Sequence, residues 1–154
     1  FAGVRPTDEL LKLEWNNVFA DGGHRIHIPS EVAKTGRKRY VKIEPTLKAW
    51  LDYIQPPRVG PVTPQRNHAK RRRAIERAAG IVPWPHDGMR HSYASYWMTI
   101  HRDEDQCRDN MGHRTKDQLV THYRQHTTEE EAQAFWAISP STISKITTAA
   151  FAAG

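Results

Sequence analysis

One cysteine, Cys107, stands in 154 residues, which excludes an internal disulfide and a cysteine-rich zinc framework. Long apolar runs are missing too: the longest, such as Ala149 to Ala153, fall far short of the roughly 20 residues that span a bilayer. The sequence contains no charged stretch leading into an apolar run and a small-residue cleavage site, and the expectation is a soluble protein of the cytoplasm. Acidic residues are the minority, 17 against 23 Lys and Arg, for a formal charge of +6. Hydrophobic residues still reach 38%, enough for a packed core and against wholesale disorder. The length suits one domain. The first residue is Phe1, and the expectation is a fragment whose upstream part is missing, with Phe1 at the surface or against an uncovered patch.

The positive charge is uneven. Residues 1–100 carry 17 basic and 9 acidic residues, a balance of +8, while residues 101–154 carry 6 and 8, a balance of −2. Two clusters hold most of the excess: Lys34, Arg37, Lys38, Arg39 and Lys42, then Arg66, Lys70, Arg71, Arg72 and Arg73. Such clusters suit a polyanion, because each phosphate they neutralise releases counterions. They equally suit a well-solvated face.

Periodicity and punctuation predict a mainly helical chain with a small antiparallel sheet, an α+β class. A helix is expected over 6–15, with Pro6 in the first turn and Asp8 and Glu9 at its positive end. Strands are expected from Arg25 to Pro29 and from Arg39 to Ile43, in a hairpin or a three-stranded sheet, with Thr35-Gly36 in the connection. Further helices are expected at 46–54, 64–79, 87–101, Asp103 to Asn110, 116–125 and Glu129 to Ile138. A tail rich in Ser, Thr and Ala starts at Ser139, which sets a domain over 1–138 and a tail over 139–154. Nine histidines raise the question of a metal. His24 and His27 are an odd number apart and would face opposite sides of a strand, and His122 and His126 lack a third and fourth ligand; no metal is expected.

Phosphoryl transfer without a metal needs cations around the phosphate, a donor for the leaving oxygen and a nucleophile. Four segments offer these parts: Gly3-Val4-Arg5-Pro6, Ala33-Lys34-Thr35-Gly36, His86-Asp87-Gly88-Met89-Arg90-His91-Ser92, and Met111-Gly112-His113 followed by Tyr123. Singly, each has a plainer meaning. Tyr123, for example, shares a helical face with Leu119 and Val120 and reads as a half-buried core residue.

Their order and spacing resemble the catalytic domain of the tyrosine recombinases, or phage integrases. FAGVRP is similar to that family's first arginine motif, KTGRKRYV to its hairpin lysine, MRHSYASY to the helix of its second arginine, and MGHRTKDQLVTHYR to the segment with its second histidine and nucleophile. EEEAQAFWAI is similar to a closing helix in one bacterial branch. The resemblance covers Phe1 to about Ile138.

The resemblance implies that Tyr123 attacks a DNA phosphate to form a 3′-phosphotyrosine. Arg5 and Arg90 would hold the non-bridging oxygens, His113 would donate a further hydrogen bond, and Lys34 would protonate the departing 5′-oxygen. It implies no cofactor, double-stranded DNA as partner, and a tetramer on DNA for the full-length protein. Arg37, Lys38, Arg39, Lys70, Arg71, Arg72 and Arg73 are the expected DNA-backbone contacts.

Two departures stand out. The family's first histidine, three residues before the second arginine, is here Asp87, with His86 one earlier; on a helix either shares a face with Arg90, His86 is preferred, and Asp87 is expected to cap the helix. The Arg5 to Trp15 interval is also one residue longer than usual. A topoisomerase with the same chemistry, and a truncated or decayed integrase that binds DNA without cutting it, are the alternatives.

Overall fold

The computed structural model describes residues 1–63, 65–114 and 127–143. It is a mixed α+β chain with a two-stranded antiparallel sheet rather than three strands. β1 (Arg25–Ile28) and β2 (Arg39–Lys42) pair in the register Arg25 to Lys42 and Ile28 to Arg39. Alternation does the sorting: Ile26, Ile28 and Val41 are buried, while His27 and Tyr40 stack with ring centroids 4.7 Å apart.

Around the sheet lie a 3-10 turn (Trp15–Asn17), a kinked helical turn α1 (Ala20–Gly23), and helices α2 (Pro45–Tyr53), α3 (His68–Ala78), α4 (Gly88–His101), α5 (Glu104–Met111) and α6 (Glu129–Trp136). Local chemistry sets several of these ends. Asp103 accepts from the Gln106 N–H at 2.9 Å to start α5, and Gly112, at φ 64°, closes it. Thr128 and Glu131 form a reciprocal capping box at the start of α6.

The helix expected over 6–15 is absent. Residues 6–12 form turns instead, followed by an isolated bridge between Glu14 and Pro61. The Trp15 N–H bonds to the Gly60 carbonyl at 2.8 Å, and the Val62 N–H bonds to the Leu13 carbonyl at 2.9 Å. This long-range pairing takes up backbone groups that a helix would need. The α4 region differs in a smaller way. Asp87 is its N-cap residue but sits at φ 51° with no side-chain capping bond, and its carbonyl accepts from the Arg90 and His91 N–H groups.

Two hydrophobic clusters form. One joins Leu13, Trp15 and Val18 to the hairpin and Leu51. The other joins Tyr93, Ala94 and Trp97 of α4 to Cys107 and Met111 of α5. α6 closes the second, with Ala132 buried and the Trp136 indole N–H on the Tyr96 carbonyl at 3.3 Å. Phe1 is half-buried and lies against Phe135 and Trp136, with centroids 4.9 and 6.0 Å away. No helix among the described residues is long and apolar enough to cross a membrane.

Candidate nucleic-acid interface

The polar seam between the two clusters is organised by Glu9, whose side chain is fully buried. Arg39 grips its carboxylate through two bonds, Nη1 to Oε1 at 2.9 Å and Nη2 to Oε2 at 2.7 Å. Arg5 adds its own Nη1 at 3.1 Å and its backbone N–H at 3.0 Å. Burial by itself pushes a carboxyl pKa up, but the Arg39 bond, the Arg5 N–H and the two guanidinium charges outweigh it and hold Glu9 at about 2. Glu9 is therefore an anion at any physiological pH.

A second set of bonds ties the seam to α4 and α5. Arg90, only 4% exposed, donates through Nη1 to the Gly3 carbonyl and through Nη2 to the Met111 carbonyl. Arg5 Nη1 reaches that same Met111 carbonyl at 3.4 Å, and Arg39 Nε reaches the Asn110 carbonyl at 3.0 Å. Gly3 permits this approach: at φ 64°, a Cβ there would lie 2.7 Å from the Tyr93 ring. Three guanidinium groups thus gather around one carboxylate and the C-terminal end of α5.

His113, just past that end, registers the resulting field. Its pKa falls to about 4, first through burial and then through the positive charges of Arg90, Arg5, Arg39 and His91. At neutral pH it is an uncharged imidazole that can donate through one ring nitrogen. The lone thiol is no rival nucleophile, since burial pushes Cys107 up to about 12.

The sequence-predicted residues divide into four groups. Arg5, Arg90 and His113 come together in the seam. Lys34 adjoins it: its backbone N–H points to Glu9 Oε1 at 3.4 Å, while its ammonium pairs with Asp8 at 3.1 Å. His86 does not join them. It precedes the N-cap of α4, so the shared helical face expected for it does not exist, and its side chain is 95% exposed. Tyr123 lies outside the described residues.

The expected backbone contacts also separate. Arg37 and Lys38 are exposed and line a concavity of about 440 Å³ together with His113, Arg108 and Arg114. Arg39 lines it too, but its guanidinium turns inward to Glu9 instead of offering an open phosphate contact. Lys70, Arg71, Arg72 and Arg73 stand exposed on α3, with Arg72 paired to Glu76 at 3.0 Å. Arg72 and Arg73 share a second concavity, of about 530 Å³, with His86 and Trp84.

Sequence reasoning did not single out Glu9 as the hub, nor Arg108, Arg114 and His91. The Arg5 to Glu9 interval of four residues was a usable signal. Among the described residues no group of three His, Cys, Asp or Glu side chains is placed to hold a metal ion. No family model, curated protein or solved structure matches this chain.

Proposed function

We propose that this chain is the catalytic domain of a site-specific DNA recombinase or integrase that cuts and rejoins strands through a phosphotyrosine. The observation that carries the reading is the convergence of Arg5 and Arg90, 85 positions apart in the sequence, on the single carbonyl of Met111. Rigid, permanently charged guanidinium groups suit the two non-bridging oxygens of a phosphodiester, which would take the place of the Glu9, Gly3 and Met111 acceptors that Arg5 and Arg90 hold in the free chain. His113 links this group to the basic concavity: it lines that concavity, and the charges of Arg90 and Arg5 help to lower its pKa.

In this mechanism the Tyr123 phenol gives up its proton to water, and its oxygen bonds to phosphorus as the bond to the 5′-oxygen breaks. Lys34 supplies the proton that the leaving oxygen needs, a contribution worth roughly 10²–10⁴ in rate. Arg5, Arg90 and neutral His113 stabilise the charge on the five-coordinate phosphorus, and loss of one such donor costs on the order of 3 kcal/mol. One ester replaces another, so no nucleotide hydrolysis is required. The reading includes duplex DNA as substrate and a tetramer on paired sites.

The test is incubation with a pool of nicked duplexes in EDTA, followed by a denaturing gel. A covalent protein–DNA band that vanishes in Tyr123→Phe is the expected result; a band that survives this substitution defeats the assignment. The exposed position of His86 favours one second reading, an integrase relative that binds DNA without cutting it. DNA binding with no covalent band under any condition selects that reading.

A further inference from the structure

The ion pair between Asp8 and Lys34 has no role in the recombinase mechanism, where Lys34 acts alone. Its geometry is nevertheless specific: Lys34 Nζ lies 3.1 Å from Asp8 Oδ2. Asp8 and Glu9 are consecutive carboxylates, and each holds a cation assigned to phosphate chemistry. Their settings are opposite. Glu9 is sealed in the seam, while the Asp8 and Lys34 side chains keep 41% and 61% of their exposure. A pair so open to water holds by a factor of only about five or less, so a DNA phosphate can take its place. Asp8 also cannot drift far from the candidate site. The turn that contains it is closed by the Glu9 and Leu10 N–H groups on the Arg5 carbonyl, at 3.2 and 2.9 Å.

We propose that Asp8 is a positioning residue that occupies the Lys34 ammonium until a DNA phosphate displaces it. This inference rests on the recombinase reading, which assigns Lys34 to the DNA. Once displaced, the Asp8 carboxylate remains beside the incoming backbone and opposes it. Lys34 is then released in full only where Arg5 and Arg90 already fix the phosphate. Asp8 thereby sets a threshold against loosely bound, non-specific DNA.

The test is a double-mutant cycle on the full chain: wild type, Asp8→Asn, Lys34→Ala and the double variant. Affinity for a fluorescent duplex is read by anisotropy at low and moderate salt, with urea unfolding as the check on the fold. Asp8→Asn is expected to tighten binding about two- to five-fold when Lys34 is present, and by less than half of that in the Lys34→Ala background. Asp8→Glu should retain wild-type affinity, because it keeps the charge and the pairing distance within reach.

An equal gain in both backgrounds overturns the proposal, since simple charge removal does not depend on Lys34. Weaker binding by Asp8→Asn overturns it as well. The nicked-DNA assay run alongside separates the two readings. A Tyr123-dependent adduct without coupling rejects the Asp8 role alone. Coupling without an adduct rejects the recombinase chemistry and leaves Asp8 as a gate on DNA binding.

Discussion

The seam around Glu9 and helix α3 are both rich in arginine, yet their arginines are held by opposite means. In the seam each guanidinium has assigned partners: Arg39 has Glu9 and the Asn110 carbonyl, and Arg90 has the Gly3 and Met111 carbonyls. On α3 no residue is buried, and Arg71, Arg72 and Arg73 stand in water. Buried charge is tolerable only when it is paired and hydrogen-bonded, so the seam is fixed in place before any ligand arrives. Exposed charge is screened within about 10 Å at ordinary salt, so α3 acts through its number of charges rather than their positions. The seam holds its charges on fixed protein acceptors, whereas α3 offers its charges to the solvent.

Disrupting the seam should therefore produce the largest effect on folding. Glu9→Ala leaves Arg39 and Arg5 without their anion, and a loss of about 3–5 kcal/mol is expected in urea unfolding. Arg73→Ala on α3 should stay within about 0.5 kcal/mol; similar losses for both would erase the distinction. Glycines sharpen the same contrast. An alanine Cβ at Gly3 would sit 2.7 Å from the Tyr93 ring and 2.9 Å from Met111 Sδ, adding overpacking to left-handed strain, for a loss of roughly 2–4 kcal/mol. Gly36 has a similar φ, +68°, with nothing within 4 Å, and alanine there should cost only the backbone strain of about 1–2 kcal/mol.

The hairpin and the ends of α5 and α6 were legible in the sequence because their signals are local. Ile26, Ile28 and Val41 alternate with polar neighbours, and the α5 and α6 ends are set by residues within a turn of them, Asp103, Gly112, Thr128 and Glu131. The 6–15 segment misled because its leucines suit a helix, while the groups that prevent one, Gly60 and Val62, lie some fifty positions away. The seam was half legible. The motif order suggested Arg5, Arg90 and His113 as a set, but Arg39 reads as one more surface cation until its partner, 30 positions distant, is known. His86 misled for a backbone reason: the helical face it was to share begins only at Gly88.

Acid separates the seam from the rest of the charged surface. His113 and Glu9 both have pKa values below their ordinary ones, about 4 and about 2, so the unfolded chain binds protons first and stability falls as pH drops. The His113 share is complete above its unfolded pKa of about 6.5 and is lost as pH falls toward 4. The Glu9 share is complete above about 4.5 and is lost as pH falls toward 2. Urea midpoints should decline in two overlapping stages, and His113→Gln should flatten the upper one by no more than about 2 kcal/mol. An unchanged upper stage in that variant would mean that the seam does not hold His113 neutral.

Replacing Arg71, Arg72 and Arg73 together with alanine should leave the urea midpoint almost where it was, a smaller effect on folding than any change in the seam. If α3 contacts DNA, its effect belongs to a different measurement. Each lost phosphate contact lowers the slope of log affinity against log salt by about 0.9, so three contacts remove about 2.7. The loss should be the same for any duplex sequence, because backbone contacts position DNA without reading it. An unchanged slope would mark α3 as a solvated face, and on the proposed function would leave Arg37, Lys38 and Arg114 of the basic concavity as the charges to remove next in the same salt titration.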